Sequence, residues 1–158
     1  MRLRKVTIHW DYPKKLDNMW YDDRIGDFGL YYISRKIYVT PQPKETLLYI
    51  GQTNNTFWER LNAHYYDWMP NHKGEKFVRL GRITRPEIKD NKELKLLIKD
   101  VESALIYDSQ PKQNRKCKNR YGYYNYCTII NKGKRGNLNQ VISMKDHQDS
   151  NNLIYSLK

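Results

Sequence analysis

Two cysteines in 158 residues, Cys117 and Cys127, are too few for a disulfide framework or a four-thiolate zinc site. A reducing compartment is the expected setting. No apolar run approaches the ~18 residues that span a bilayer, and the opening MRLRKVTIHW lacks the apolar centre of a signal peptide. The expectation is a soluble, cytoplasmic chain with no membrane partner. Phenylalanine is scarce, three residues against 14 tyrosines. Acidic residues are scarce too: 17 Asp and Glu face 29 Lys and Arg, a net charge of +12. Between 109 and 145 there is no Asp or Glu at all, against nine Lys and Arg.

What remains is rich in cations and phenols. Cations displace counterions from a phosphate backbone, and tyrosine both stacks on bases and hydrogen-bonds, so the mixture suits a nucleic acid. The plainer alternative is a basic protein whose charge only keeps it dispersed. The length fits a single domain, 1–158.

The pattern of elements is α+β. RKVTIHW reads as a short strand, and 11–27 as an aromatic, polar lead-in. FGLYYIS and TLLYIGQ are β-rich runs separated by RKIYVTPQPKE, whose prolines rule out a continuous strand and suit a hairpin with a long loop. From Thr53 to Trp68 a helix is expected, with several Ser/Thr/Asn-type caps, Pro70 beyond its end, and Phe57, Leu61, Tyr65 and Trp68 on one stripe. EKFVRLGRI gives a third strand. A second helix carries Leu94, Leu97, Ile98, Val101 and Leu105 at helical spacing and closes before Pro111. The fold expected is therefore a small, mainly antiparallel three-stranded sheet with helices packed on it, plus N- and C-terminal extensions. A loop and a short terminal helix are expected over 146–158.

Several polar residues stand where polarity is costly. Glu102 lies about 80° round the second helix from Leu94, on the margin of its apolar stripe. A partly buried carboxylate needs a cationic partner, such as Lys95 or Lys99, or a metal. Arg60 and His64, four residues apart, share one edge of the first helix's stripe. They are either that helix's polar shoulder or a phosphate-binding fork beside a near-neutral base. Tyr31 and Tyr49 read by default as half-buried strand tyrosines, and Asn114 as a turn residue.

Taken in order, these residues resemble the GIY-YIG nuclease superfamily. GLY at 29–31 and YIG at 49–51 form the paired motif; RLNAH at 60–64, VESAL at 101–105 and KQN at 112–114 follow it. The resemblance covers roughly residues 28–116. It implies that the motif halves are adjacent strands, and that Tyr31, Tyr49, Arg60, His64, Glu102 and Asn114 form one active site. Glu102 would hold a single Mg²⁺ or Mn²⁺. The implied activity is divalent-metal-dependent hydrolysis of DNA phosphodiesters by water, with a Tyr31/His64 base and an Arg60 phosphate clamp, of restriction, homing or phage type. Double-stranded DNA is the implied partner, and cutting both strands with one site per chain favours a homodimer. The alternative is a binding module that keeps the fold without cutting.

Three positions depart from the family pattern. Leu30 replaces isoleucine, and the motif tyrosines are 18 residues apart, which enlarges the hairpin. Gln52 stands directly after the second half, where many members carry lysine or a small residue; Arg35 or Lys36 are the substitutes for a lysine there. The acid-free segment 109–145 adds Lys112, Arg115, Lys116, Lys118, Arg120, Lys132, Lys134 and Arg135 as candidate phosphate contacts, with Tyr121, Tyr123, Tyr124 and Tyr126 among them. It would leave the active site at Asn114 and run along the duplex or into a groove.

Overall fold

The computed structural model describes residues 3–39 and 41–149. Its strands are β1 (Arg4–Trp10), β2 (Lys14–Lys15), β3 (Gly29–Ile37), β4 (Lys44–Thr53), β5 (Glu75–Arg85), β6 (Cys127–Gly133) and β7 (Val141–Ser143). Its helices are α1 (Leu16–Met19), α2 (Phe57–Asp67), α3 (Asn91–Ser109) and α4 (Met144–Asp149), with a 3-10 turn at Met69–Asn71. The class is α+β, as expected. Of the element expected over 146–158, residues 150–158 lie outside the described residues.

The sheet is larger than the sequence suggested. Strands run in the order β4-β3-β5-β1-β6-β7, with β2 paired to β5. The expected three-stranded antiparallel unit is its β4-β3-β5 part. Beside it, β1 pairs antiparallel to β5 and parallel to β6, so the sheet is mixed. The supposed N- and C-terminal extensions are therefore sheet strands. Between β5 and β7 they bury Val6, Ile8, Ile129 and Ile142 in the main core.

Alternation along the strands divides the interior in two. Leu30, Tyr32 and Ile50 point to the face covered by α3, where they meet Leu97, Ile98, Val101 and Leu105. Tyr31, Ile33 and Leu48 point to the other face, against Phe57 and Leu61 of α2. On α2, Tyr65 does not join the stripe: it is exposed, and the buried polar residue on that helix is His64, only 5% exposed. The buried Tyr121 and Tyr123 belong to the main core rather than to a DNA-facing arm. Their segment rejoins the sheet as β6 and β7 because alternate residues of β6 are buried beside β1: Cys127 and Ile129 as apolar groups, and Asn131 with its Oδ1 accepting Trp10 Nε1–H at 2.9 Å.

Helix ends fix where the site residues point. Thr56 Oγ accepts the Glu59 amide at 3.2 Å, and the amides of Phe57 and Trp58 bond Asp27 O and Ile25 O at 2.9 Å each. The lead-in thus anchors the start of α2. Helix α3 stops at Gln110, which adopts the left-handed conformation (φ 49°) ahead of Pro111 and turns the chain back along β4. Among the described residues no helix is long and apolar enough to cross a membrane.

Candidate active site at the free edge of β4

Strand β4 is the outermost strand, so one of its edges has no strand partner. Unpaired edge groups cost free energy when enclosed and template unwanted pairing when exposed. Here side chains and the returning chain occupy that edge. The Gln113 amide bonds Leu48 O at 2.8 Å. Asn114 takes both groups of Ile50: Oδ1 accepts its amide at 2.9 Å and Nδ2 donates to its carbonyl at 2.8 Å. The Gln52 amide faces the Glu102 carboxylate and favours its charged form. Asn114 is buried, and its part in the site is to hold β4 in place.

Over this edge the two layers of the molecule meet. From the α2 side come Tyr31, Tyr49, Arg60 and His64; from α3 comes Glu102. Tyr31 Oη lies 2.8 Å from His64 Nε2, and Arg60 Nε donates to Tyr31 Oη at 3.3 Å. Arg60 also lies near the Tyr49 hydroxyl, which favours its charge. The Tyr31 and Tyr49 rings stack at 6.0 Å, 16° apart, and the Tyr49 and His64 rings lie 4.4 Å apart. Trp68 completes the group, donating from Nε1 to His64 Nδ1 at 2.7 Å.

The glycine at 51 makes this packing feasible. In the β3–β4 ladder Gly51 is the partner of Tyr31. A Cβ at 51 would collide with the Tyr31 hydroxyl and stand 2.7 Å from the Tyr49 ring. Setting Gly and Tyr side by side on neighbouring strands therefore lets one phenol cross the edge strand into the site.

An open cleft of about 710 Å³ lies in front of these groups, with Tyr49, Arg60, His64, Glu102 and Asn114 in its wall. Lys99, Arg115, Lys116 and Asp67 share the lining. Burial pushes the Glu102 carboxyl up to about 7, although Arg60, the Gln52 amide, Lys99 and Lys116 favour its charged form. Burial, then Arg60, pushes His64 down to about 4, so the imidazole is neutral at physiological pH. Burial, reinforced by Tyr49 and opposed by Arg60, holds the Tyr31 phenol well above its usual value.

The six residues expected to form one site do converge; the expected DNA contacts mostly do not join them. Arg115 and Lys116 line the cleft. Arg35 donates to Lys73 O at 3.3 Å and Lys36 sits over Phe77, near the opposite end of the hairpin from Gly51. Gln52 serves through its main chain, and its side-chain oxygen is enclosed with no hydrogen-bond partner among the described residues. Lys112 and Arg120 are exposed, whereas Lys118 Nζ is tied to Pro111 O at 2.8 Å. Lys132 lies on β6, four places from β4 in the strand order, and Lys134 and Arg135 lie in the loop after it; none of the three lines the cleft.

Two contributors escaped the sequence. Trp68 was legible only as an apolar stripe member, although its spacing of four from His64 placed its N–H within reach. Lys99 was legible only as an ion-pair partner for Glu102. Among the described residues no group of three or more His, Cys, Asp or Glu is arranged to hold a metal. No family model, no curated protein and no solved structure matches this chain.

Proposed function

We propose that this protein is a divalent-metal-dependent DNA endonuclease of the GIY-YIG type. The observation that carries this reading is the meeting of Tyr49, Arg60, His64 and Glu102 in one cationic cleft, with the buried Tyr31 hydroxyl bonded to His64 and Arg60 behind its wall. Residues that are 71 positions apart in sequence, Tyr31 and Glu102, are brought there by elements on opposite faces of the sheet.

The chemistry needed is in-line attack by water on a phosphodiester. A proton leaves the water, negative charge builds on the phosphorus oxygens, and a P–O bond breaks. Arg60 sits at the exposed rim with Nε on Tyr31. A guanidinium has five N–H donors, so it retains others for a non-bridging phosphate oxygen. Tyr31, as phenolate, receives the water's proton in its pair with His64. Tyr49, half-buried with its ring against His64, orients the water or the phosphate. The leaving oxygen is protonated from solvent in the open cleft.

The donor set fits a hard cation with few protein ligands. Glu102 is a partly buried carboxylate facing the cleft, with the exposed Asp67 the other acid in its lining, and Mg²⁺ commonly keeps its waters and takes one or two carboxylates plus phosphate oxygens. When held by Glu102, Mg²⁺ or Mn²⁺ would polarise the attacking water and offset with its charge the burial that keeps Tyr31 a phenol. Lys99, Arg115 and Lys116 position the DNA backbone beside it.

The test is incubation of the full chain with plasmid DNA and Mg²⁺ or Mn²⁺, followed by mapping of the ends. Cation-dependent nicking or linearisation supports the reading, and persistence of intact supercoiled DNA with either cation opposes it.

A further inference from the structure

We propose that Trp68 fixes His64 as its Nε2–H tautomer, making His64 a hydrogen-bond donor to Tyr31 rather than the acceptor of the tyrosine's proton. The role this has in water activation rests on the nuclease reading; the tautomer itself does not.

Donors and acceptors decide the tautomer. An indole nitrogen carries a proton and offers no lone pair, so it can only donate. Trp68 Nε1 stands 2.7 Å from His64 Nδ1. That nitrogen must therefore be bare, because two N–H groups facing each other at this distance would repel. Neutral imidazole has one ring proton, and the other nitrogen must carry it. His64 Nε2 in turn stands 2.8 Å from Tyr31 Oη, and the bond there runs N–H to oxygen. Burial keeps the imidazole neutral, so no second ring proton complicates the assignment.

The surroundings hold this arrangement rigidly. Trp68 is the C-cap residue of α2, and its backbone amide also bonds His64 O at 3.2 Å. It is 5% exposed, and its ring packs against Tyr49 at 5.7 Å. Donor and acceptor are thus set by one helical turn and one side of the core.

The consequence reverses the simplest view of the pair. Tyr31 Oη accepts two N–H bonds, one from His64 and one from Arg60 at 3.3 Å. Its own proton is left to point away from both; when the phenolate forms, that proton goes to solvent, because His64 already carries its one ring proton on Nε2. A phenolate has three lone pairs; with two held by these donors, one remains to take the proton of the attacking water. His64 then acts as a fixed donor that stabilises the phenolate, and Trp68 is the positioning residue behind it.

Two measurements test this. In metal-free protein labelled with ¹⁵N-histidine, the ring nitrogens of His64 should show Nε2 protonated and Nδ1 bare throughout pH 6–8. Trp68→Phe, which keeps the packing but removes the donor, should convert this to a mixture of tautomers. A proton on Nδ1 in the unaltered protein overturns the proposal, as does a Trp68→Phe spectrum identical to it. In cleavage assays His64→Ala should lose about 10²-fold, the order for removing one fixed donor in an active site. His64→Gln, whose amide can donate but cannot serve as a base, should recover most of that loss; equal inactivity of the two variants overturns the donor role. The spectroscopic arm needs no activity. Inactive protein with the Nε2–H tautomer contradicts the nuclease reading and leaves the Trp68 assignment standing.

Discussion

Tyr31 stands opposite Gly51 in the β3–β4 ladder, and its hydroxyl fills the space that a side chain at 51 would occupy. The relationship joins the two halves of the sequence motif physically: the glycine of one strand is the passage for the tyrosine of the next. Gly51→Ala should therefore push the Tyr31 hydroxyl away from His64 and Arg60. Overpacking of this kind costs about 1–3 kcal/mol. Urea denaturation should show that modest loss, while cleavage falls far more, because a displacement of about 1 Å can cost on the order of 10²-fold in rate. Cleavage undiminished in Gly51→Ala would mean that the position of the Tyr31 hydroxyl does not matter.

Glu102 is placed against its own stability. Its carboxyl titrates near 7 in the folded, metal-free protein because burial disfavours the charge. A carboxyl raised above its unfolded value contributes stability at pH below the unfolded value, and that contribution is lost as pH rises through about 7. Between the ordinary carboxylate range and about 7 the folded state holds more protons than the unfolded one, so stability declines across that window. Glu102→Gln removes the titration. In chelator it should be more stable than the unaltered protein at pH 8, by up to about 3 kcal/mol, and the gain should vanish near pH 4. Denaturant midpoints at the two pH values check this; a gain that is the same at both would place its origin elsewhere than in the charge.

The cations of the chain fall into two places, and DNA should distinguish them. Lys99, Arg115 and Lys116 border the cleft, whereas Lys132 on β6 and Lys134 and Arg135 in the loop after it lie outside the cleft. Neutralising the first three together should make the slope of log affinity against log salt shallower by about 0.9 for each lost phosphate contact. Neutralising the second three should leave the slope unchanged if the duplex lies only along the cleft. Fluorescence anisotropy on unrelated duplexes reads both. An equal drop in both variants would extend the footprint across the sheet.

Local periodicity carried much of this architecture into the sequence. The helices at 57–67 and 91–109 and the strands β3, β4 and β5 all follow from alternation, helical spacing and the proline and cap residues between them. The full sheet did not follow, because β1 joins it only through long-range ladders to β5 and β6, the latter pairing Arg4 with Cys127 across most of the chain. Pairing at such separation leaves no local signal. The tyrosines near 121 misled for a related reason. Cations beside phenols look like a nucleic-acid surface, but Tyr121 and Tyr123 are in the main core while neighbouring cations face outward. Within the site, Arg60, His64 and Glu102 stood out as polar residues beside apolar stripes, whereas Tyr31, Tyr49 and Asn114 were singled out only by the family resemblance. Trp68 as a donor and Asn114 as the clamp on Ile50 depend on hydrogen-bond direction and edge geometry, which spacing alone does not encode.

The most direct measurement of the central claim compares the unaltered chain with Glu102→Gln on plasmid and linear duplex DNA, each in Mg²⁺, Mn²⁺ and chelator. The account predicts that the unaltered chain cuts only when a divalent cation is present. It also predicts that Glu102→Gln folds and binds DNA yet leaves every substrate intact. Cleavage by Glu102→Gln at the unaltered rate, or cleavage by the unaltered chain that persists in chelator, would contradict it.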